Sequence, residues 1–315
     1  MYADRMNLLR RHPPREAARR LNGLLASIAL AVLAVVGLVA CGEQAPVPSP
    51  TPSTAAPATS TPAVTTPPAT PSATPSASAT VTILVYFLRD QRIAAARRDV
   101  PATKAVATAA VRALLRGPHA EERAAGLQSA LSPGMELVRI TIRTRTAFVE
   151  LTATPDDVPL EAPRLQLAQI VHTVTQFPTV DSAVISFNGE PVSLPGDPSS
   201  RGRPLTRADF EEVAPAILVE SPTIGETVSS PLLARGTANT FEATFVAEVR
   251  DATNRLLVKK VVTATSGSGT RGTFRIRLPF ASAQKRGALV VYELSAEDGS
   301  VINLVRIPLR LASAP

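Results

Sequence analysis

Few side chains in this 315-residue chain could act as nucleophiles or metal ligands. It contains one cysteine, Cys41, and three histidines, of which only His119 and His172 follow that cysteine. One cysteine cannot build a cysteine-rich zinc site. His172 falls opposite the apolar stripe of a predicted helix, so we interpret it as a solvated residue. His119 follows Gly117-Pro118 in a predicted loop that offers no second metal ligand.

One glycine-rich segment suggests nucleotide chemistry. Gly267 to Gly272 matches G-x-G-x-x-G, the pattern of dinucleotide-binding loops. Such a loop needs a strand before it and a helix after it, because backbone N–H groups at the helix start bind the pyrophosphate. Here a predicted strand, Thr273 to Leu278, follows instead. We therefore expect a flexible hairpin loop and no bound nucleotide.

Three pairs of adjacent acidic residues are the remaining candidates for acid–base chemistry. They are Glu121/Glu122, Asp156/Asp157 and Glu211/Glu212. Glycosidase carboxylates face each other across a cleft, whereas neighbours in loops or short helices do not. We interpret these pairs as solvated surface. The inventory predicts no catalytic residue, no metal site and no cofactor, so we expect a protein that is not an enzyme.

A row of arginines is the polar pattern that suggests binding. Strand alternation places Arg139, Thr141 and Arg143 on one face, with Arg145 extending it. The alternate residues are expected to point to the core; they are Val138, Ile140 and Ile142. Such a face could dock an anionic partner, although antiparallel sheets commonly leave one side solvated. The pair Arg275 and Arg277 in a later strand has the same two interpretations.

The first 41 residues have the order of a targeting segment. Met1 to Arg20 carries six arginines, and Leu21 to Ala40 is uncharged. Leu38-Val39-Ala40-Cys41 then resembles the lipobox of bacterial lipoproteins. The resemblance implies cleavage between Ala40 and Cys41 and a diacylglycerol thioether on Cys41. Because two acyl chains anchor stably, this predicts a lipid-anchored protein on the extracytoplasmic face of the membrane. An uncleaved membrane anchor is the alternative.

An acylated Cys41 leaves no cysteine for a disulfide or a Cys/His dyad. After it, Gln44 to Thr80 is a 37-residue stretch with ten prolines and no charged residue. This composition cannot bury enough apolar surface to fold and predicts a disordered, extended tether. At about 3.1 Å per residue, its reach is at most on the order of 100 Å.

The next segment mixes strands and helices. The sequence predicts a strand buried on both faces at Val81 to Leu88, and a helix at Ala102 to Leu115 that ends at Arg116-Gly117-Pro118. A second helix, Pro163 to Phe177, carries an apolar stripe at helical spacing. The other strands are expected at Glu136 to Ile142, Thr146 to Leu151 and Val180 to Phe187, the last ending in the turn signal Asn188-Gly189. We predict one sheet with helices on one face.

These residues resemble the GerMN domain over about 110 positions. The resemblance rests on four segments: Tyr86-Phe87, Ala113 to Pro118, Gly126 to Gly134 and Gln169 to Pro178. GerMN domains occur in sporulation, germination and other envelope lipoproteins, where they are similar to non-enzymatic interaction modules. Where the family often has an Asp-Gly turn, this chain has Arg143-Thr144-Arg145.

A short helix at Thr206 to Val213, with Thr206 as N-cap and Asp209 at N3, leads to a strand-rich segment. About seven short strands between Ala216 and Leu311 are typical of an immunoglobulin-like sandwich. Several motifs there resemble the immunoglobulin-like domain of bacterial spore germination, a frequent partner of GerMN. They are Ser221-Pro222, Gly236-Thr237-Ala238, Phe241-Glu242-Ala243, Gly272-Thr273-Phe274, Leu278-Pro279-Phe280 and Asp298-Gly299-Ser300.

The sequence thus predicts a multidomain chain in which a GerMN-like α+β domain precedes an all-β immunoglobulin-like sandwich. The expected boundaries are signal peptide 1–40, lipidated cysteine and disordered linker 41–80, GerMN-like domain 81–194, connecting segment 195–214 and sandwich 215–315.

Charge and inventory point to binding rather than catalysis. From residue 21 onward there are 27 basic and 24 acidic residues, too even a balance for a nucleic-acid partner. The leading hypothesis is an envelope lipoprotein that binds or scaffolds a protein partner, in sporulation or germination. The alternative is a cell-wall or anionic-glycan binder that uses Arg139, Arg143 and Arg145. A wall-modifying enzyme is the third hypothesis, and it requires turnover of wall fragments.

Overall fold

The computed structural model of the chain describes residues 79–152 and 162–312. The predicted signal peptide, Cys41, nearly all of the predicted tether and Asp156/Asp157 lie outside these ranges. In the described ranges, no helix is both long and apolar enough to cross a membrane.

Residues 79–194, here named the first domain, form an α+β unit. Its elements are β1 Thr80–Arg89, β2 Arg92–Pro101, α1 Val106–Leu115, α2 Ala120–Ala124, β3 Glu136–Arg143, β4 Thr146–Thr152, α3 Ala162–Val174, β5 Ser182–Phe187 and β6 Glu190–Pro191. A four-stranded sheet has the order β3-β4-β5-β6, with β4 and β5 parallel. Helices α1 and α3 pack on one face of it, as predicted.

The first strand does not join that sheet, contrary to the prediction of a single sheet. Its partner strand is β2, which the sequence analysis missed, in an antiparallel ribbon that turns at Asp90-Gln91. Leu88 also forms a single antiparallel bridge with Gln128. Residues 85–88 are each at most 5% exposed, so the predicted burial on both faces is confirmed for this half of the strand. In the first half Thr82 is exposed and Val81 and Leu84 are half-buried, so the prediction is wrong there. The alternation of apolar and polar residues in β2 is difficult to recognise in the sequence, because its alanines are only weakly hydrophobic. Thr80, expected in the tether, already lies in β1.

The arginine-bearing strand β3 is less regular than predicted. Ile140 packs against the core, but Val138 is 53% exposed and Ile142 is 43% exposed. A β-bulge between Leu137 and Arg139 leaves Val138 without a partner on β4. Ile142 lies one residue from the turn, where the sheet ends. The expectation that both residues point to the core is therefore wrong.

The helices follow the predicted apolar periodicity, although α1 starts later than predicted and α3 ends earlier. Helix α1 begins at Val106 rather than Ala102, and it ends before Gly117, whose φ is +77°. In α3 the apolar stripe is fully buried, as predicted; its members are Leu167, Ile170, Val171 and Val174. The Asn188-Gly189 turn joins β5 to β6 with both residues in the left-handed region.

Residues 215–312, here named the second domain, form a β-sandwich. Its strands are β7 Ile217–Ser221, β8 Thr227–Val228, β9 Leu232–Ala238, β10 Thr244–Asp251, β11 Leu256–Thr263, β12 Gly272–Leu278, β13 Arg286–Leu294 and β14 Val301–Leu311. One sheet has the order β11-β10-β13-β14-β8 and the other β12-β9-β7. Inward-facing residues of both sheets share one core, in which Phe245 and Phe274 meet edge to face.

The glycine-rich loop is not the flexible hairpin that we expected. It connects β11 to β12, which belong to different sheets. A Cβ on Gly267 would lie 2.4 Å from the Thr240 carbonyl oxygen, so only glycine fits there. Ser268 and Gly269 donate their N–H groups to Thr240 and Asn239. The loop is closely packed against the chain before β10, and no helix follows it.

Candidate functional site: the polar junction between the domains

The predicted arginine face is present but largely neutralised. Arg139 and Arg143 lie on the outer face of β3, and Arg145 lies in the turn. Arg139 Nε is 2.8 Å from a carboxylate oxygen of Glu150 on the neighbouring strand. Arg145 binds both carboxylate oxygens of Asp181, and these hydrogen bonds lower the pKa of Asp181. Only Arg143 has no ion pair within the described residues.

His172 is buried, which corrects the expectation of a solvated histidine. Its exposure is 2%, Nδ1 is 2.9 Å from the carbonyl oxygen of Ala168, and its ring packs on Tyr86. Burial, reinforced by the positive charge of Arg207, lowers the pKa of His172 to about 3. The ring is therefore neutral at physiological pH, a poor state for a proton shuttle.

His119 has a local structural role. It precedes α2, and its backbone N–H donates to Glu122 Oε2 at 2.7 Å. Across residues 79–152 and 162–312, no three His, Cys, Asp or Glu side chains come together in a way that could hold a metal.

Three residues at the contact between the two domains are here named the junction cluster: Tyr86 from β1, Arg207 from the connecting segment and Glu220 from β7. The Tyr86 hydroxyl donates to Glu220 Oε1 at 2.5 Å, and Arg207 Nη1 donates to the same oxygen at 3.0 Å. The Arg207 guanidinium also lies over the Tyr86 ring, 5.1 Å from its centroid. Its remaining N–H groups reach the His172 carbonyl and the Thr175 hydroxyl.

Burial dominates the electrostatics of this cluster. It raises the pKa of the fully buried Tyr86 hydroxyl well above its usual range, so the tyrosine remains a neutral donor. Burial alone would lower the pKa of Arg207, but Tyr86 and Glu220 reverse that effect and the guanidinium stays charged. The cluster is thus one cation and one carboxylate bridged by a neutral hydroxyl.

The connecting segment that supplies Arg207 is part of the first domain's core. Leu205 and Phe210 are at most 1% exposed, and Leu205 exchanges two backbone hydrogen bonds with Ala183. The carboxylate of Asp209 accepts from the N–H and hydroxyl of Thr206, as the N-cap prediction requires. The helix that follows is a kinked 3-10 helix, Arg207–Val213.

Further ion pairs reinforce the junction, and they involve residues of the predicted acidic pairs. Glu211 pairs with Arg271 of the second domain at 2.9 Å, and Glu121 pairs with Arg310 at 2.8 Å. Glu212 pairs with Arg164. Glu121 and Glu212 are nevertheless exposed, as predicted, whereas Glu211 is half-buried.

Glu122 is buried inside the first domain, where it receives two hydrogen bonds of 2.6 and 2.7 Å from Arg98. Burial alone would raise the pKa of Glu122, but the hydrogen bonds from Arg98 and from the His119 N–H outweigh it and lower the pKa.

A polar stripe on α3 and on the turn that follows it holds β1 in place. Gln176 accepts from Leu84 N–H at 2.7 Å and donates to Leu84 C=O at 2.6 Å. Thr173 Oγ1 accepts from Tyr86 N–H, and Gln169 Nε2 donates to Tyr86 C=O. Side chains thus complete the β1 edge that β2 leaves free. This is the helix face that we interpreted as solvated, whereas Gln169, His172 and Thr173 are at most 2% exposed.

A cavity of about 230 Å³ also lies between the domains. Its walls include Ile93 of β2, Val219 of β7 and Ile307 of β14, with Arg89 and Arg92 alongside. Arg89 donates to a backbone carbonyl of the second domain, and Arg92 donates to backbone carbonyls of the connecting segment. The whole junction is suited to holding two domains in a fixed pose.

Comparison with known proteins agrees with this architecture. Residues 84–193 match the family model described as "Sporulation and spore germination", and residues 216–300 match the "Immunoglobulin-like domain of bacterial spore germination". Both resemblances are confirmed. The first domain is therefore called the GerMN-like domain from here on, and the second the immunoglobulin-like domain. Neither family description names an enzymatic activity. No curated protein matches the chain significantly.

Three solved structures are similar to parts of the chain. The first GerMN domain of the sporulation protein GerM from Bacillus subtilis is 20% identical, with 41% of this chain and 99% of that one covered and a TM-score of 0.35. The tandem GerMN domains of the same protein are 14% identical, covering 64% and 62%, with a TM-score of 0.37. A putative lipoprotein from Clostridium perfringens is 16% identical, covering 43% and 93%, with a TM-score of 0.28.

Proposed function

We propose that this chain is an envelope lipoprotein that acts in sporulation or germination as a non-enzymatic binding or scaffold protein. The descriptions of both matched families name spore germination, which supports a role in that process. Neither family description names an enzymatic activity, which is consistent with a binding role. A protein partner in the envelope is the partner that we propose.

The junction cluster is the observation that carries the proposal. Domains joined by a polar interface usually move relative to each other. Here the connecting segment is buried in the GerMN-like core, and Tyr86, Arg207 and Glu220 bond across the boundary. Breaking this partly buried network would leave polar groups unpaired, which is costly. The two domains therefore present their outer faces at a fixed spacing, which is what a scaffold needs.

Anchoring rests on the sequence of the N-terminal segment. We propose that Cys41 carries the lipid, after cleavage behind Ala40, and that the proline-rich segment holds the two domains away from the membrane. Metabolic labelling with a fatty acid, followed by mass spectrometry of the N-terminal peptide, tests this. The Cys41→Ser variant should lose the label and leave the membrane fraction.

The scaffold role is tested by crosslinking the full lipoprotein in cells and identifying what is attached to each domain. A recurrent protein crosslinked within residues 81–194 or 215–312 supports the proposal and names the pathway. Crosslinks confined to wall material would overturn it. Assays for turnover of wall fragments by the same protein address the enzymatic hypothesis.

The wall-glycan alternative uses Arg139, Arg143 and Arg145. Two of these arginines are already paired with Glu150 and Asp181, which weakens the positive field of this face. If the alternative holds, wall binding should fall steeply with salt and disappear when the three arginines become Ser. A salt-insensitive interaction that is lost on apolar surface substitution favours the scaffold role.

A further inference from the structure

A second arginine face lies on the immunoglobulin-like domain, and its charges are not neutralised. Arg235 on β9 and Arg275 and Arg277 on β12 are exposed on the outer side of the three-stranded sheet. They alternate with inward residues such as Ala234, Phe274 and Ile276 of the sandwich core. All three guanidinium groups therefore project from one surface.

The pairing register places like charges side by side on this surface. Arg275 lies directly opposite Arg235, and Arg277 lies opposite Leu233. Directly opposed like charges destabilise a sheet. Arginines also face each other at Arg89/Arg92 and Arg286/Arg310, where Arg310 pairs with Glu121. Other cross-strand neighbours are complementary, as in Arg139 with Glu150 and Glu248 with Lys259.

None of the three arginines forms an ion pair or side-chain hydrogen bond with any residue of the described ranges. The acidic residues near Arg235 are occupied elsewhere. Glu220 is bound by Tyr86 and Arg207, and Glu226 is bound by Arg97 and by the N–H of Thr223. The face thus retains three positive charges at a cost in stability, which a partner of opposite charge would offset.

The face also carries an apolar contact point. Leu233 is 59% exposed and lies beside the arginines. An arginine guanidinium binds a carboxylate with two parallel hydrogen bonds, and arginine is enriched at protein interfaces. A surface that combines three such groups with an exposed leucine fits a peptide better than it fits a uniformly charged polymer.

We propose that Arg235, Arg275, Arg277 and Leu233 form the docking surface for an acidic segment of a partner protein, with carboxylates on the arginines and an apolar side chain on Leu233. Arg235 also lines the groove between the domains together with Tyr86 and Phe177, so the bound segment runs towards the junction. This inference rests on the proposed scaffold function and adds the surface and the chemistry of the partner.

The test uses the full chain in detergent and three fluorescent probes: a peptide of Glu and Asp around one Leu, the same peptide with Gln and Asn, and polyphosphate. Binding is followed by fluorescence anisotropy. The variant Arg235→Gln/Arg275→Gln/Arg277→Gln should weaken binding of the acidic peptide by at least about tenfold. Arg139→Gln/Arg143→Gln/Arg145→Gln changes the net charge equally and should leave binding unchanged. Leu233→Ser should weaken the acidic peptide but not polyphosphate.

Equal weakening by both triple variants would mean a general charge effect and would overturn the proposal. So would binding of polyphosphate alone, which indicates an anionic polymer, or binding of no probe. Removing the cross-strand repulsion should not unfold the sheet. A retained thermal transition confirms that the variant is folded. If crosslinking in cells finds a protein partner on another surface, this inference fails while the scaffold function stands.

Discussion

The hydroxyl of Tyr86 donates a 2.5 Å hydrogen bond to Glu220, and this contact joins a strand of the GerMN-like domain to the first strand of the immunoglobulin-like domain. The donor is fully buried and the acceptor is held in place by Arg207. The pair therefore ties the orientation of the domains to the core of the first domain.

Replacing Tyr86 by Phe should destabilise the protein by about 1–3 kcal/mol, because the half-buried Glu220 and Arg207 lose a hydrogen-bond partner. Tyr292→Phe is the matched control, since Tyr292 donates to the buried Glu248 within the immunoglobulin-like domain at 2.8 Å. Hydrogen exchange of Arg207–Val213 should accelerate in the Tyr86 variant only. Unchanged exchange in both variants would contradict a locking role for the cluster.

His172 should make stability depend on pH. Its pKa is about 3 in the folded protein against 6.5 ordinarily, so the unfolded chain binds more protons between these values. Stability should therefore be complete above pH 6.5 and fall as the pH is lowered, by up to about 1.4 kcal/mol per unit from this residue. Urea unfolding between about pH 5 and pH 7 separates this effect from the carboxylates, which titrate lower.

His172→Gln should flatten the pH dependence in that interval, whatever its effect on stability at neutral pH. If stability varies with pH equally in the wild type and in His172→Gln, the buried ring does not cause the pH dependence.

The covered edge of β1 gives a third prediction. Gln176→Ala removes the partner of both Leu84 backbone groups and should cost about 1–3 kcal/mol, with faster hydrogen exchange at Leu84. Gln128→Ala should change little, since Gln128 bonds to Leu88 through its backbone only. Equal losses in the two variants would argue against edge protection by the α3 side chains.

The glycine-rich loop gives a fourth prediction. Gly267→Ala should destabilise the immunoglobulin-like domain by about 1–3 kcal/mol, because its Cβ would meet backbone atoms of Thr240 and Ala243 at 2.4–2.5 Å. Thr270→Ala, at an exposed position of the same loop, is the control. Thermal unfolding measures both. A Gly267 variant as stable as the control would mean that the loop can move away from residues 240–243.

Local patterns in the sequence were enough to predict many elements. The stripe from Leu167 to Val174, the continuous apolar run of β1 and the Asn188-Gly189 turn each depend on neighbours in the chain, and all three are confirmed. The strand pattern after residue 216 likewise predicted a sandwich, because alternation is a property of each strand by itself.

Polar burial could not be predicted in this way. A solvated His172 and a solvated Glu122 are reasonable expectations from helical position alone, but Tyr86, Arg207 and Arg98 come from distant parts of the chain. Whether a polar group is buried depends on whether folding brings it a partner, and the sequence around that group does not contain the answer.

The two arginine faces show the same division. Alternation in the sequence determined that Arg139 and Arg143, and likewise Arg275 and Arg277, share a face of a strand. Only the tertiary structure decided that Glu150 and Asp181 neutralise most of the first group while Arg235 adds to the second. The physical reason is that side-chain direction follows from the backbone period, whereas net charge at a surface is set by which strands pair.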